Sequence, residues 1–84
     1  MNIERRSVDS FTGEIVSVQK DNGRVYFIIR MSDAKRYGDE LYPGIFTETQ
    51  LKLSEGENVN VLIDDESVER EGMIYRKAVS VSVN

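Results

Sequence analysis

The stretch that decides the fold is Asp21 to Met31, DNGRVYFIIRM. Asn22-Gly23 is the signature of a two-residue β-hairpin turn, because both central residues of that turn take positive φ and Asn and Gly do so at least cost. Behind it the chain alternates. Val25, Phe27, Ile29 and Met31 share one face, and Arg24, Tyr26, Ile28 and Arg30 share the other. A period of two with an unbroken apolar side predicts a strand with one buried face and one exposed face. The second face is unusual for an acidic chain of net charge −4, since it turns two arginines, a tyrosine and an isoleucine toward water.

The same pattern extends in both directions. FTGEIVSVQK (11–20) reads as a strand antiparallel to 24–31, with Gly13 marking a bulge or sharp bend. SDAKRYGDE (32–40) reads as a loop with Lys35, Arg36 and Tyr37 at its tip. LYPGIFTETQL (41–51) holds a third extended run around Ile45 and Phe46, with Pro43 and Gly44 at a bend or sheet edge. TETQLKLSEGE (47–57) admits two readings, an irregular connector or a single helical turn capped by Thr47 or Thr49. ENVNVLID (57–64) is a fourth strand with Val59, Val61 and Ile63 inward, and DESVEREG (65–72) is a charged connection ending at Gly72. MIYRKAVSVSV (73–83) is a fifth strand, with Val79, Val81 and Val83 inward and Ser80 and Ser82 outward. Five short strands without a long helix favour closure, which removes exposed sheet edges. The expected fold is all-β, a five-stranded antiparallel Greek-key OB-type barrel, with an SH3-like barrel as the competitor. One domain spans 1–84, with 1–9 as a flexible or loosely packed N-terminal segment.

Composition narrows the function. The chain has 84 residues, no Cys and no His. Disulfides, zinc–thiolate sites, thiol nucleophiles and the commonest general base are therefore excluded, and an enzyme is not expected. Neither is a cofactor. The acidic cluster Asp64, Asp65, Glu66, Glu69 and Glu71 lacks the ligand spacing of a calcium loop and reads as a solvated hairpin tip, so no metal is expected. No apolar run approaches the roughly 20 residues that span a bilayer, and MNIERRSVDS has no apolar stretch behind its arginines, so a cytoplasmic location away from the membrane is expected. The first 42 residues hold seven basic and seven acidic residues, and the last 42 hold four and eight. A polyanion would therefore have to bind a local patch in the first half.

GEIVSVQKDNGRVYFI (13–28) resembles the opening of cold-shock domains, OB barrels that bind single-stranded nucleic acid, with Gly13 and Gly23 at matching spacing. IFTETQLKLSEGENVNV (45–61) resembles that family's third strand, its connector and the Leu-x-x-Gly-x-x-Val entry to strand four. GMIYRKAVSVSV (72–83) resembles its last strand. The likeness covers most of residues 11–83 and lies mainly at core and turn positions. The binding motifs depart. Lys-Gly-Phe-Gly-Phe-Ile becomes Asn22-Gly23-Arg24-Val25-Tyr26-Phe27, the exposed Trp of strand one falls at Ser17, and Phe-Val-His falls at Ile45-Phe46-Thr47. Small single-stranded DNA-binding proteins of filamentous phages share a Gly-x-x-Tyr hairpin and a pair like Tyr42-Pro43.

What the resemblance implies is non-enzymatic binding of single-stranded DNA or RNA across the second and third strands. On the residues themselves, Tyr26 would stack a base, and Arg24 and Arg30, with Ile28 between them, would neutralise phosphates or stack by cation–π contact. Lys35, Arg36 and Tyr37 would clamp the strand from their loop, Arg76 would extend the patch, and Phe46 is a further candidate binding residue. The alternative is a protein-interaction OB module or small phage-type regulator, which uses the same face and the acidic hairpin to hold a protein partner. In the plainer account of the face, the arginines pair with cross-strand acids such as Glu14.

Overall fold

A computed structural model describes residues 9–32 and 41–83. It contains five strands: β1 (Asp9–Asp21), β2 (Arg24–Met31), β3 (Leu41–Phe46), β4 (Asn58–Arg70) and β5 (Met73–Val83). They close into a barrel in the order β1-β2-β3-β5-β4, an arrangement consistent with an OB-type barrel. Residues 1–8 and the loop bearing Lys35, Arg36 and Tyr37 lie outside the described residues.

The turn at Asn22-Gly23 forms as the sequence requires, with φ of 51° and 77°, and Asp21 closes against Arg24. The inward face of β2 is the heart of the core. Val25, Phe27, Ile29 and Met31 are all buried, against Phe11 and Ile15 of β1, Tyr42 of β3, Val59, Val61 and Ile63 of β4 and Ala78 of β5. Phe11 and Tyr42 meet edge to face at 4.7 Å, a geometry that adds to the burial itself.

The expectation of a wholly antiparallel sheet is corrected. β3 and β5 pair in parallel, at Gly44–Arg76 and Ile45–Lys77. The cause is arithmetic: an odd number of strands cannot alternate in direction all the way round a closed ring, so one seam must be parallel. Nor does the connector 47–57 form a helical turn. Leu51 and Leu53, two residues apart, pack on the core, a spacing that suits an extended segment rather than a helix. The connector ends in a turn where the backbone N–H of Ser54 donates to Glu57 Oε1 at 3.0 Å and the N–H of Glu57 donates to the Ser54 carbonyl at 3.1 Å.

The charged stretch 65–70 is strand rather than connection. β4 runs to Arg70, and the turn is only Glu71-Gly72, with φ of 53° and 81°. β4 and β5 thus form a long hairpin whose register slips at Leu62/Ile63 and again between Ile63 and Ser67. The first slip explains the valines of β5. Leu62 faces Ser80 and Ile63 faces Ala78, which leaves Val79 as the extra residue of a bulge. Val79 is 47% exposed and Val83, at the strand end, 56%, so of the three valines only Val81 packs against the core.

β1 serves two neighbours, β4 through residues 9–14 and β2 through 13–21. Gly13 sits where the two overlap, opposite both Met31 and Val59. A Cβ there would stand 2.5 Å from the Arg30 carbonyl oxygen and closer still to Ile29 Cγ2. Gly13→Ala is expected to cost about 1–3 kcal/mol through overpacking, read as a lower urea midpoint at unchanged slope. A loss under about 0.5 kcal/mol, the range of a neutral surface change, would show that β1 does not make this close approach.

Candidate functional site

The outward face of β2 is where the sequence places the site. Residues opposite one another in an antiparallel pair share a face, so the register defines its surroundings. On the β1 side Glu14 lies beside Arg30, Ser17 beside Ile28, Gln19 beside Tyr26 and Asp21 beside Arg24. On the β3 side Leu41 lies beside Arg30, Pro43 beside Ile28 and Ile45 beside Tyr26.

Tyr26 is not an exposed stacking ring. It is 6% exposed, and Ile45 beside it is fully buried although it faces away from the core. The β4–β5 hairpin covers Tyr26. Tyr75 packs edge to face on Tyr26 with centroids 5.0 Å apart, and the Arg70 guanidinium lies over the Tyr26 ring at 4.2 Å. Arg70 is fixed from below, its Nη1 donating to Gln19 Oε1 at 2.8 Å and its Nη2 to Asp21 Oδ2 at 3.2 Å. Between Tyr75 and the sheet remains a cleft of about 20 Å³, lined by Ser17, Gln19, Tyr26 and Ile28, with room for about one water and none for a base.

Magnitudes decide which contact matters most. The Arg70–Asp21 pair joins a side chain 18% exposed to one 44% exposed, so screening holds it to about 1 kcal/mol or less. The cation–π contact contributes about 0.5–2 kcal/mol. Burial of the Tyr26 ring contributes about 1.5–3 kcal/mol, so the lid is held by packing and oriented by Arg70.

The remaining predicted residues scatter. Phe46 pairs with Val25 and packs against the core, so it points into the barrel and away from the Tyr26 face. Pro43 and Gly44 had obscured its phase in the sequence. Arg30 is exposed beside Glu14, with Nη1 3.9 Å from Oε1, the cross-strand pairing of the plainer account. Arg76 is half buried and donates from Nη2 to the Asp64 carbonyl at 3.1 Å, which anchors the β4 irregularity from within. Lys77 lies 3.3 Å from Glu66. Arg24 and Ile28 are half buried, and Arg24 makes no ion pair among the described residues. Lys35, Arg36 and Tyr37 lie outside the described residues. Among the described residues no three carboxylates gather to hold a metal ion, and no helix is long and apolar enough to cross a membrane.

The residues that sequence reasoning passed over are Gln19, Asp21, Arg70 and Tyr75. Their signal was the Glu71-Gly72 turn, which puts Arg70 opposite Met73 and Val68 opposite Tyr75 and gives the hairpin an apolar-and-cationic underside.

The lid predicts the cost of Tyr26→Ala. Loss of a buried aromatic ring should lower stability by roughly 3 kcal/mol, whereas loss of an exposed stacking ring should change it by less than about 0.5 kcal/mol. Urea unfolding separates the two.

No family model matches the chain, and no curated protein or solved structure matches it either.

Proposed function

We propose that this chain is a non-enzymatic OB-type binding module whose ligand is a protein carrying a basic, partly apolar surface. The carrying observation is the tip of the β4–β5 hairpin. Ile74 is 59% exposed there, with exposed Glu69 opposite it on the same face and exposed Glu71 in the adjoining turn, while Met73, 43% exposed, lies on the other face beside Arg70. A large exposed apolar side chain beside carboxylates suits a partner that offers an apolar pocket with a basic rim. A polyanion would meet repulsion at the same tip.

Two further features support this reading over single-stranded nucleic acid. The aromatic rings that would stack bases are committed internally, Tyr26 beneath the lid and Phe46 against the core. Three of the cations around the face, Arg30, Arg70 and Lys77, already face carboxylates. One observation keeps nucleic acid as a second reading: Arg24 remains on the outer face without an ion pair among the described residues.

A fluorescence-anisotropy titration with labelled single-stranded DNA and RNA at low salt decides between them. The protein reading predicts no saturable binding. Binding at micromolar concentration or tighter that falls steeply with salt and weakens in Arg24→Ala would overturn it in favour of phosphate contacts. In the positive arm, a photo-crosslinker placed at Ile74 should give a discrete protein adduct in the cells that make this chain. The double charge reversal Glu69→Lys with Glu71→Lys should abolish that adduct, and one at Ser17 should give none.

A further inference from the structure

Closure of this barrel leaves part of one strand without a neighbour. β5 pairs with β4 along its length, but on its other side it meets β3 only at Arg76 and Lys77. From Ala78 to Val83 that second side has no strand partner among the described residues. Exposed strand edges of this kind recruit further strands unless charge or proline guards them. The run Ala78-Val79-Ser80-Val81-Ser82-Val83 contains neither. Its one protective feature is the bulge at Val79.

From this edge we propose that the chain self-associates by antiparallel pairing of β5 with β5 of a second copy, which makes one sheet continuous through two barrels. The choice of occupant comes from the residues. Val79-Ser80-Val81-Ser82-Val83 reads the same in both directions. A two-fold contact pairs residue i with j and j with i, and in antiparallel pairing centred on Val81 the palindrome sets like side chains opposite like. It sets Ser80 opposite the partner's Ser82 and Val81 opposite its own copy, and β-branched and hydroxyl pairs of this kind stabilise adjacent strands. Val79 stands out of the ladder and, with Val83, lends exposed apolar surface beside it. The absence of charged side chains from Ala78 to Val83 also keeps like charges from facing one another within the contact. A single strand edge buries less than the roughly 1,200 Å² of a stable interface, so the dimer is a weak one that forms at high concentration. The proposal is independent of what the hairpin tip binds.

Sedimentation velocity on the full chain from about 10 µM to about 1 mM should show the weight-average mass rising from monomer toward dimer, as expected for an interface below standard size. Hydrogen exchange at Ser80–Val83 should slow over the same range. Ser80 and Ser82 are exposed, so substitution there spares the core. Ser80→Lys should weaken homodimerisation at least tenfold. A mixture of the Ser80→Lys chain with a Ser82→Glu chain should restore association, because the pairing sets those two positions face to face. A monomer at every concentration overturns the proposal. So does a dimer indifferent to Ser80→Lys, or one that the Lys and Glu mixture fails to rescue.

Discussion

A strand in a one-layer barrel has a single interior to face, yet β2 carries residues that need burial on both sides. Val25, Phe27, Ile29 and Met31 fill the barrel, and Tyr26, with Ile45 beside it, faces outward. Leaving that outward pair in water would forgo about 1.5–3 kcal/mol per side chain, a large share of what an 84-residue domain has in hand. The solution is a second small layer. β4 and β5 run on together as a hairpin that sets Tyr75 and Arg70 on the Tyr26 ring. The two slips of the β4–β5 register lie between the part of the hairpin that builds the wall and the part that builds the lid, as expected where a strand must bend and twist.

This layer reorganises the polar chemistry around it. Arg70, with 18% of its side chain exposed, needs acceptors, and Gln19 and Asp21 at the end of β1 supply them. Arg76 is drawn inward to the Asp64 carbonyl, and Lys77 is drawn to Glu66. Arg76, which the linear sequence offers to a phosphate backbone, is thereby spent on the hairpin, as is Lys77, while Arg30 faces Glu14 and Arg24 stays on the outer face. What stays outside is acidic and apolar, at the Met73-Ile74 tip. The functional reading moves with it from the sheet face to the hairpin end.

Much of the barrel was legible in the sequence because it depends on neighbours. The Asn22-Gly23 turn, the inward face of β2 and the inward set Val59, Val61 and Ile63 follow from turn chemistry and a period of two, and all appear as expected. Three features escaped, each for a physical reason. The lid joins residue 26 to residues 70 and 75, and no local pattern encodes a contact of that separation. The valines of β5 alternate perfectly in sequence, but one bulged residue, Val79, breaks the phase, and a bulge carries no compositional mark here. In β3, Tyr42, Ile45 and Phe46 do not alternate, so only the pairing of Phe46 with Val25 shows that Phe46 faces the core.

The second layer requires the β4–β5 hairpin to lie on Tyr26 in solution. The most direct measurement is a nuclear Overhauser spectrum of the protein with its four tyrosines selectively labelled. Cross-peaks between the Tyr26 and Tyr75 rings are predicted, as their centroids lie 5.0 Å apart, and excess single-stranded oligonucleotide should leave them unchanged. Absence of those cross-peaks, with Tyr26 ring shifts of a solvated side chain, would contradict the lid and return the face of β2 to the surface as an open platform.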